Sequence, residues 1–439
     1  MQITKGFKYR IYPNKEQQAL INHQCFIYNQ AYNICLNLWL KEVESNKDLP
    51  KEQKKYLRAV DYDRLVKEAL KNRELPFKSV VTQQARINFL RSIKRALSKE
   101  MVAERKRALD SATTPKQKAK ALKLGIPNFK NSKLAKTSFN WNNQGFQILE
   151  SNNAKFKTFK LMSMPLKMKY HRSLPQGYKV NQITISTSND KYYASFSITY
   201  KQEIKQVDLA HLDSAKCIGI DLNINDIALS DGELIKTLSK KVNAKKYNDK
   251  FKRLMRKNSR RVRIKLESKN KNQKLSNNFR KTQKQLNQIY ERSSNIKKDS
   301  YHKITTRLIK EFDLVAVEAL KNKNMTKRAK LKNVKQKSGL NRSILNTSFY
   351  QFSQMLAYKA LHNGKFFVKV NPQYTSKTCS VCGKINENLS LSDRVFECDC
   401  GNIIHRDINA SINILERGLK SFGLGISLLD TKQKAFRVS

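Results

Sequence analysis

Two short segments constrain this chain more than any others: CIGIDL at 217–222 and LVAVE at 314–318. Both are almost continuously apolar, without the alternation of a strand that has one wet face, and read as buried strands. Each carries one acid at its carboxyl-terminal end, Asp221 and Glu318. A third acid, Asp407, lies in FECDCGNIIHRDINASINI (396–414), where it opens an apolar-periodic run and therefore the first turn of a helix.

The segments around these acids fix their order. DIALSDGEL follows the first strand as a hairpin with Asp231-Gly232 at its turn. Residues 240–300 carry 22 Lys plus Arg against 4 acids. Within and beyond them Tyr247, Phe251, Leu254 and Val262, then Phe279, Leu286, Tyr290, Tyr301, Ile304 and Leu308, recur at helical spacing, which predicts a basic hairpin of two long helices. Residues 321–342 are Lys-rich without a single acid and read as a mobile loop. A helix over about 346–363 and a strand FFVKV at 366–370 follow. Strand, hairpin, helix, strand, helix, strand, helix is the order of an RNase H-like α/β fold. Its acids meet at one edge of the sheet.

Clustered carboxylates repel, and burial raises their pKa values unless a cation neutralises them. Hard Mg²⁺ accepts such oxygen ligands. Two ions about 3.5–4 Å apart would polarise a phosphodiester, activate water and stabilise the leaving oxygen. Asp221 is expected to bridge both ions, with Glu318 and Asp407 each holding one.

At the other end, KGFKYRIY (5–12) alternates Phe7, Tyr9 and Ile11 with Lys8 and Arg10, a half-buried strand with one cationic face. Pro13-Asn14 ends it, and Asn14 with Gln17 forms a capping-box pattern. Residues 16–124 are helical in pattern, broken at Gly125 and Pro127. Residues 126–205 return to strands, with a Ser-Asn-Asp turn inside VNQITISTSNDKYYASFSITY. Strands at both ends of a helical block predict a β-barrel-like domain carrying a helical insertion.

Charge and cysteines bound the partners. With 88 Lys plus Arg against 35 acids, a net charge of +53, the chain needs a polyanion to offset its self-repulsion, and a nucleic acid is the expected partner. No signal peptide is apparent, and no apolar run approaches the ~20 residues of a membrane span, which points to bacterial cytoplasm or nucleoid. Of seven cysteines, Cys25, Cys35 and Cys217 sit among apolar neighbours as buried thiols. The other four read Cys379-x2-Cys382, fifteen residues, then Cys398-x-Cys400, a structural zinc ribbon with four cysteine ligands, inserted between the last strand and the helix of Asp407. The second pair is one residue short of the usual spacing, which leaves His405 as the nearest substitute ligand.

With these residues in place the chain resembles the TnpB (OrfB) family of transposon-encoded RNA-guided nucleases, relatives of compact type V CRISPR effectors. FKYRIYPNKEQ resembles the family's opening strand and helix, GIDLNINDIA, VAVEAL and HRDINASINI its three RuvC segments, and YTSKTCSVCG the start of its zinc insertion. The resemblance implies a wedge β-barrel-like domain at 1–15 and 125–205 and a helical recognition lobe at 16–124. It implies a RuvC nuclease domain at 206–371 and 405–417 with the basic hairpin at 240–312, a zinc-binding insertion at 372–404, and a C-terminal tail at 418–439 that is a candidate for disorder. It further implies a guide RNA from the transposon end, a double-stranded DNA target with a short adjacent motif, and one Mg-dependent RuvC site of Asp221, Glu318 and Asp407 that cuts both strands. Departures are the Cys-x-Cys pair, His405 where an acid often stands, and Asn223 where Gly is common. Candidate nucleic-acid contacts are Lys8, Arg10, Arg260, Arg261, Lys323, Lys327, Arg328 and Arg406. Arg406 has two roles open, a phosphate contact or an ion pair. The 321–342 segment suits either a lid over a bound strand or a solvated stretch.

Three rivals stand beside this reading: an RNase H-fold transposase or resolvase acting without RNA, an RNA-guided binding protein that does not cut, and a zinc-dependent accessory protein of transposition. Whether the chain acts as a monomer or a dimer is open.

Overall fold

The structure, a computed structural model, describes residues 1–131, 136–151, 153, 155–236, 245–267, 276–327, 333–390 and 392–423. They fall into two compact units, 1–202 and 203–439.

The first unit is built on a seven-stranded antiparallel sheet. Its strands are β1 (Gln2–Tyr12), β2 (Lys136–Trp141), β3 (Phe146–Leu149), β4 (Phe156–Leu161), β5 (Met164–Lys169), β6 (Lys179–Ser188) and β7 (Lys191–Lys201), in the order β2-β6-β7-β1-β5-β4-β3. In β1, Ile3, Phe7, Tyr9 and Ile11 are buried while Lys8 and Arg10 are exposed, as the alternation requires. The β6–β7 turn places Asn189 and Asp190 at φ 52° and 59°, the left-handed pair that matches the twist of a two-residue hairpin.

The sheet is strongly curled. β2 and β3 stand at opposite edges, which a flat sheet would hold about 29 Å apart. Only residues 142–145 join them, and that link spans at most about 18 Å. Phe146 of β3 accordingly meets Phe196 of β7 with ring centroids 6.1 Å apart. Among the described residues no ladder joins β2 to β3.

Between β1 and β2 run α1 (Lys15–Ser45), α2 (Ala59–Lys71), α3 (Ser79–Ala96), α4 (Lys99–Asp110) and α5 (Pro115–Leu122). Asn14 and Gln17 form both bonds of the capping box at the start of α1, 2.8 and 2.9 Å. The first three helices share one apolar core with the sheet, Tyr9, Phe139, Phe159 and Phe196 packing with Ile21, Tyr28, Leu70 and Phe89. Burial pushes the thiols of Cys25 and Cys35 up, to about 11 and about 12, so both stay neutral.

The second unit holds a five-stranded sheet of β8 (Cys217–Leu222), β9 (Asp226–Leu229), β10 (Leu234–Lys236), β11 (Leu314–Glu318) and β12 (Phe366–Val370), in the order β10-β9-β8-β11-β12. β8, β11 and β12 are parallel and every residue of β8 and β11 is buried. On one face Ile218, Ile220, Val315 and Val317 pack against Leu308 and Ile309 of α7 (Asn277–Glu311) and Phe352 and Leu356 of α10 (Phe349–His362). On the other, Cys217, Leu314 and Ala316 pack against Ile414, Leu415 and Leu419 of α11 (Arg406–Lys420).

α6 (Lys245–Glu267) pairs with α7 through Phe251 and Tyr290, ring centroids 5.0 Å apart, and through Asn258 Nδ2, which donates to Gln283 Oε1 at 2.9 Å. Its connections at 237–244 and 268–275 lie outside the described residues.

The mobile loop expected at 321–342 is corrected over its described part. α8 (Asn322–Met325) and α9 (Val334–Thr347) occupy it. Lys337 Nζ donates to Met325 O at 2.8 Å, Asn341 Nδ2 donates to Thr326 O at 3.1 Å, and Ile344 joins the core. Lys337 and Asn341 thus cap carbonyls at the end of α8. The helix expected over about 346–363 is α10, Phe349–His362; it starts three residues later because Ser348, at φ 52°, separates it from α9. α11 runs on to Lys420, past the 417 boundary, and 424–439 lie outside the described residues.

Candidate metal centres

Asp221 is the penultimate residue of β8, Glu318 closes β11, and Asp407 stands in the first turn of α11. They are 8%, 9% and 5% exposed. Neighbouring parallel strands set the first two side by side. A close approach sets the third: a Cβ on Gly219 would lie 2.0 Å from the carbonyl oxygen of Ser411, and one on Gly418 would lie 2.6 Å from Ala316 Cβ. Only glycine lets α11 settle against β8 and β11 this closely, and that seat fixes where Asp407 emerges.

Burial, then the charges of Glu318 and Asp407, push the Asp221 carboxyl up to about 8, while a bond from Asn223 Nδ2 at 2.8 Å opposes the shift. Burial also raises Glu318, against the Thr375 hydroxyl, which donates to its Oε1, and the charge of Arg417. Asp407 Oδ1 accepts from Arg406 at 3.3 Å, and Arg394 stands 3.9 Å from Oδ2. The Asp407 amide donates to His405 Nδ1 at 3.3 Å, which caps α11. Buried carboxyl oxygens gathered in this way are hard donors, the set that suits Mg²⁺. The three carboxylates are spread wider than a single-ion cluster: among the described residues only cysteines bring three or more ligand atoms within 4.8 Å of one another.

Those cysteines are Cys379, Cys382, Cys398 and Cys400. Cys379 Sγ lies 3.7 Å from Cys400 Sγ and Cys382 Sγ lies 3.6 Å from Cys398 Sγ. A tetrahedral zinc with bonds of about 2.3 Å needs sulfurs about 3.8 Å apart, so the set could hold a metal such as zinc. Donors to its sulfur from Val381 N and Asn402 Nδ2, both at 3.4 Å, help bring the Cys379 thiol down to about 7 despite burial. The short Cys398-x-Cys400 step fits because β13 (Val395–Glu397) and β14 (Ile403–His405) close a tight turn with Gly401 at φ 83°. His405 is not in the cluster.

The knuckle and the acids share fasteners that the sequence reading did not pick out. Asn409 Nδ2 donates to Thr378 O at 2.7 Å, and its Oδ1 accepts from Ser380 N at 2.9 Å. Asn413 Nδ2 donates to Thr375 O at 2.8 Å and Thr378 O at 2.7 Å. Arg417 donates to Asn371 O and Gln373 O at 2.9 and 2.7 Å. The available signal was an Asn at i and i+4 inside an apolar stripe, 409 and 413, since a buried amide has to be hydrogen-bonded.

The basic candidates lie in scattered places. Lys8 and Arg10 are exposed on β1, over the rings of Tyr193 and Tyr12 at 4.0 and 4.9 Å. Arg260 is exposed on α6, whereas Arg261 donates to Asn278 O at 2.7 Å and holds the start of α7. Lys327 is exposed just after α8; the Lys323 side chain and Arg328 lie outside the described residues. Among the described residues no helix is long and apolar enough to cross a membrane.

Three family models match in chain order: a helix-turn-helix domain of the IS605 OrfB type over 1–48, the IS605 OrfB "Probable transposase" over 197–329, and a Cas12f1-like TNB domain over 349–414. In this chain 1–48 form β1 and the single helix α1. The chain is 34% identical over 260 residues to the "Putative RNA-guided DNA endonuclease InsQ" of Escherichia coli K12, a match spanning 57% of this chain and 60% of that protein. It is 25% identical over 431 residues to a "Putative RNA-guided DNA endonuclease" of Streptomyces pristinaespiralis, spanning 97% and 92%. Its fold resembles the protein of a Cas12f1–sgRNA–target DNA complex, with a TM-score of 0.53 at 14% identity over 94% of this chain and 98% of that one. By its family models and relatives alike, the chain is similar to IS605 OrfB proteins and to putative RNA-guided DNA endonucleases.

Proposed function

We propose that this protein is an RNA-guided DNA endonuclease of the RuvC type, with Asp221, Glu318 and Asp407 as the ligands of two Mg²⁺ ions and one structural zinc on the four cysteines. The observation that carries it is the Asp221 carboxyl, held between two other buried acids and pushed up to about 8. Order β10-β9-β8-β11-β12 with acids at adjacent parallel strand ends supports an RNase H-like nuclease core. Magnesium bound there would polarise the scissile phosphate and acidify the attacking water.

The chain's own groups supply orientation. Asn223 fixes one oxygen of Asp221, Thr375 one of Glu318, and Arg406 one of Asp407. In this reading the curled sheet of the first unit is a wedge barrel, its helices are a recognition lobe, and both bind a guide RNA from the transposon end and the motif beside the DNA target. Net charge of +53 supports these polyanion partners and a place in the bacterial cytoplasm or nucleoid. The guide-free transposase or resolvase stays as a second reading because the 197–329 family model is described as a transposase.

The test is cleavage of a matched plasmid by the protein with its RNA. Asp221→Ala, expected to fold, lowers magnesium-dependent cleavage by about 100-fold or more. Unchanged cleavage would remove the site assignment, and full cleavage with DNA and Mg²⁺ but no RNA would favour the second reading.

A further inference from the structure

The cysteine segment departs from the end of β12 and returns directly into α11, so both its roots stand at the acids. Its first arm, 371–380, is fastened to α11 along one face by Asn409, Asn413 and Arg417, spaced i, i+4 and i+8. Asn409 is fully buried and Asn413 nearly so. Asn409 holds both peptide groups flanking Cys379, the C=O of Thr378 and the N–H of Ser380, and it stands two residues after Asp407. Asn413 holds the carbonyl of Thr375, whose hydroxyl reaches Glu318. One continuous chain of hydrogen bonds therefore runs from a cysteine ligand through α11 to the second acid, with the third acid on the same helical turn as Asn409.

The Thr375 hydroxyl has a single proton and two acceptors within reach, Glu318 Oε1 and Pro372 O at 3.1 Å. Donation to Glu318 requires residue 375 to stay where Asn413 holds it. Displacing the 375–380 arm would free both Glu318 and the seat of Asp407. A buried asparagine amide left without partners is costly, which is why these contacts persist once formed.

We infer that Asn409, Asn413 and Thr375 are positioning residues that couple the cysteine site to the carboxylate site, so that metal bound at the cysteines raises the affinity of Asp221, Glu318 and Asp407 for a hard divalent cation. The coupling is reciprocal: cation at the acids slows loss of zinc from the knuckle. This inference rests on the proposed function of the three acids as cation ligands.

The experiment uses the full-length protein and reads binding rather than cleavage. Mn²⁺ affinity is measured by the electron paramagnetic resonance of free Mn²⁺, and zinc content is measured by a colorimetric chelator, in wild type, Asp221→Ala, Asn409→Ala, Thr375→Val and Thr375→Ser. Thr375→Val keeps the shape of the side chain and lies off the cysteine ligands, so it carries the test should Asn409→Ala fold poorly. The expected result is full zinc content with Mn²⁺ affinity weakened about tenfold in Thr375→Val, within the usual range of coupling between sites. Thr375→Ser restores the affinity, which a general loss of packing would not allow. Mn²⁺ binding unchanged in Thr375→Val and Asn409→Ala, yet abolished in Asp221→Ala, overturns the coupling alone. No Mn²⁺ binding by wild type overturns the carboxylate reading beneath it.

Discussion

Asp221 carries a proton at neutral pH that its unfolded counterpart does not. Burial and two facing acids push the folded carboxyl up to about 8, against an ordinary value of 3.8. Across that window the folded state binds more protons than the unfolded chain, so stability falls as pH rises. Metal-free protein, held in chelator, is expected to lose up to about 1.4 kcal/mol of stability per pH unit between pH 6 and pH 8 from this group. Thermal denaturation of wild type against Asp221→Asn checks it: the variant should show a flatter pH dependence. Equal slopes would mean that Asp221 is ionised in the metal-free fold. Asp221 and Glu318 stood out in the sequence because each stands near the end of an apolar run, and Asp407 because it opens one. Thr375 did not, since a Thr in a loop gains meaning only once the 371–380 arm is seen lying along α11, whereas Asn409 had a signal in its i, i+4 pairing with Asn413.

At the scale of elements, α11 decides where Asp407 points. The clearest handle is Gly219, whose added Cβ would strike the Ser411 carbonyl and the Leu415 backbone at 2.0 and 2.7 Å. Gly219→Ala is expected to push α11 off β8 and to cost about 1–3 kcal/mol or more, an overpacking penalty. A lowered Tm together with lost cleavage is the expected outcome. A variant as stable and active as wild type would show that α11 is not seated through this contact. Elements of strong period were readable: β1, β6, β7, β8 and β11 follow from alternation or from continuous apolar runs. The helices within 321–342 were not, because a Lys-rich, acid-free composition argues for a solvated stretch. The carbonyls of Met325 and Thr326 that Lys337 and Asn341 cap are invisible to any local pattern. The curl of the first sheet was hidden for a similar reason, being set by the short 142–145 link between strands that pair with other partners.

For the whole molecule, charge and order of elements speak together. A chain with net charge +53 gathers polyanion generally, and that charge alone does not distinguish a structured guide from bulk nucleic acid. In the proposed function selectivity comes from ordered surfaces, and β1 is the candidate: Lys8 and Arg10 lie there over tyrosine rings. The most direct test is to express the protein with its native flanking DNA, purify it through a high-salt wash that strips nonspecific polyanion, and sequence the RNA that stays bound. The account predicts one discrete RNA with a variable end reaching past the transposon boundary. Random cellular RNA, or none, would contradict the guided reading and leave a basic nuclease whose target is chosen by other means.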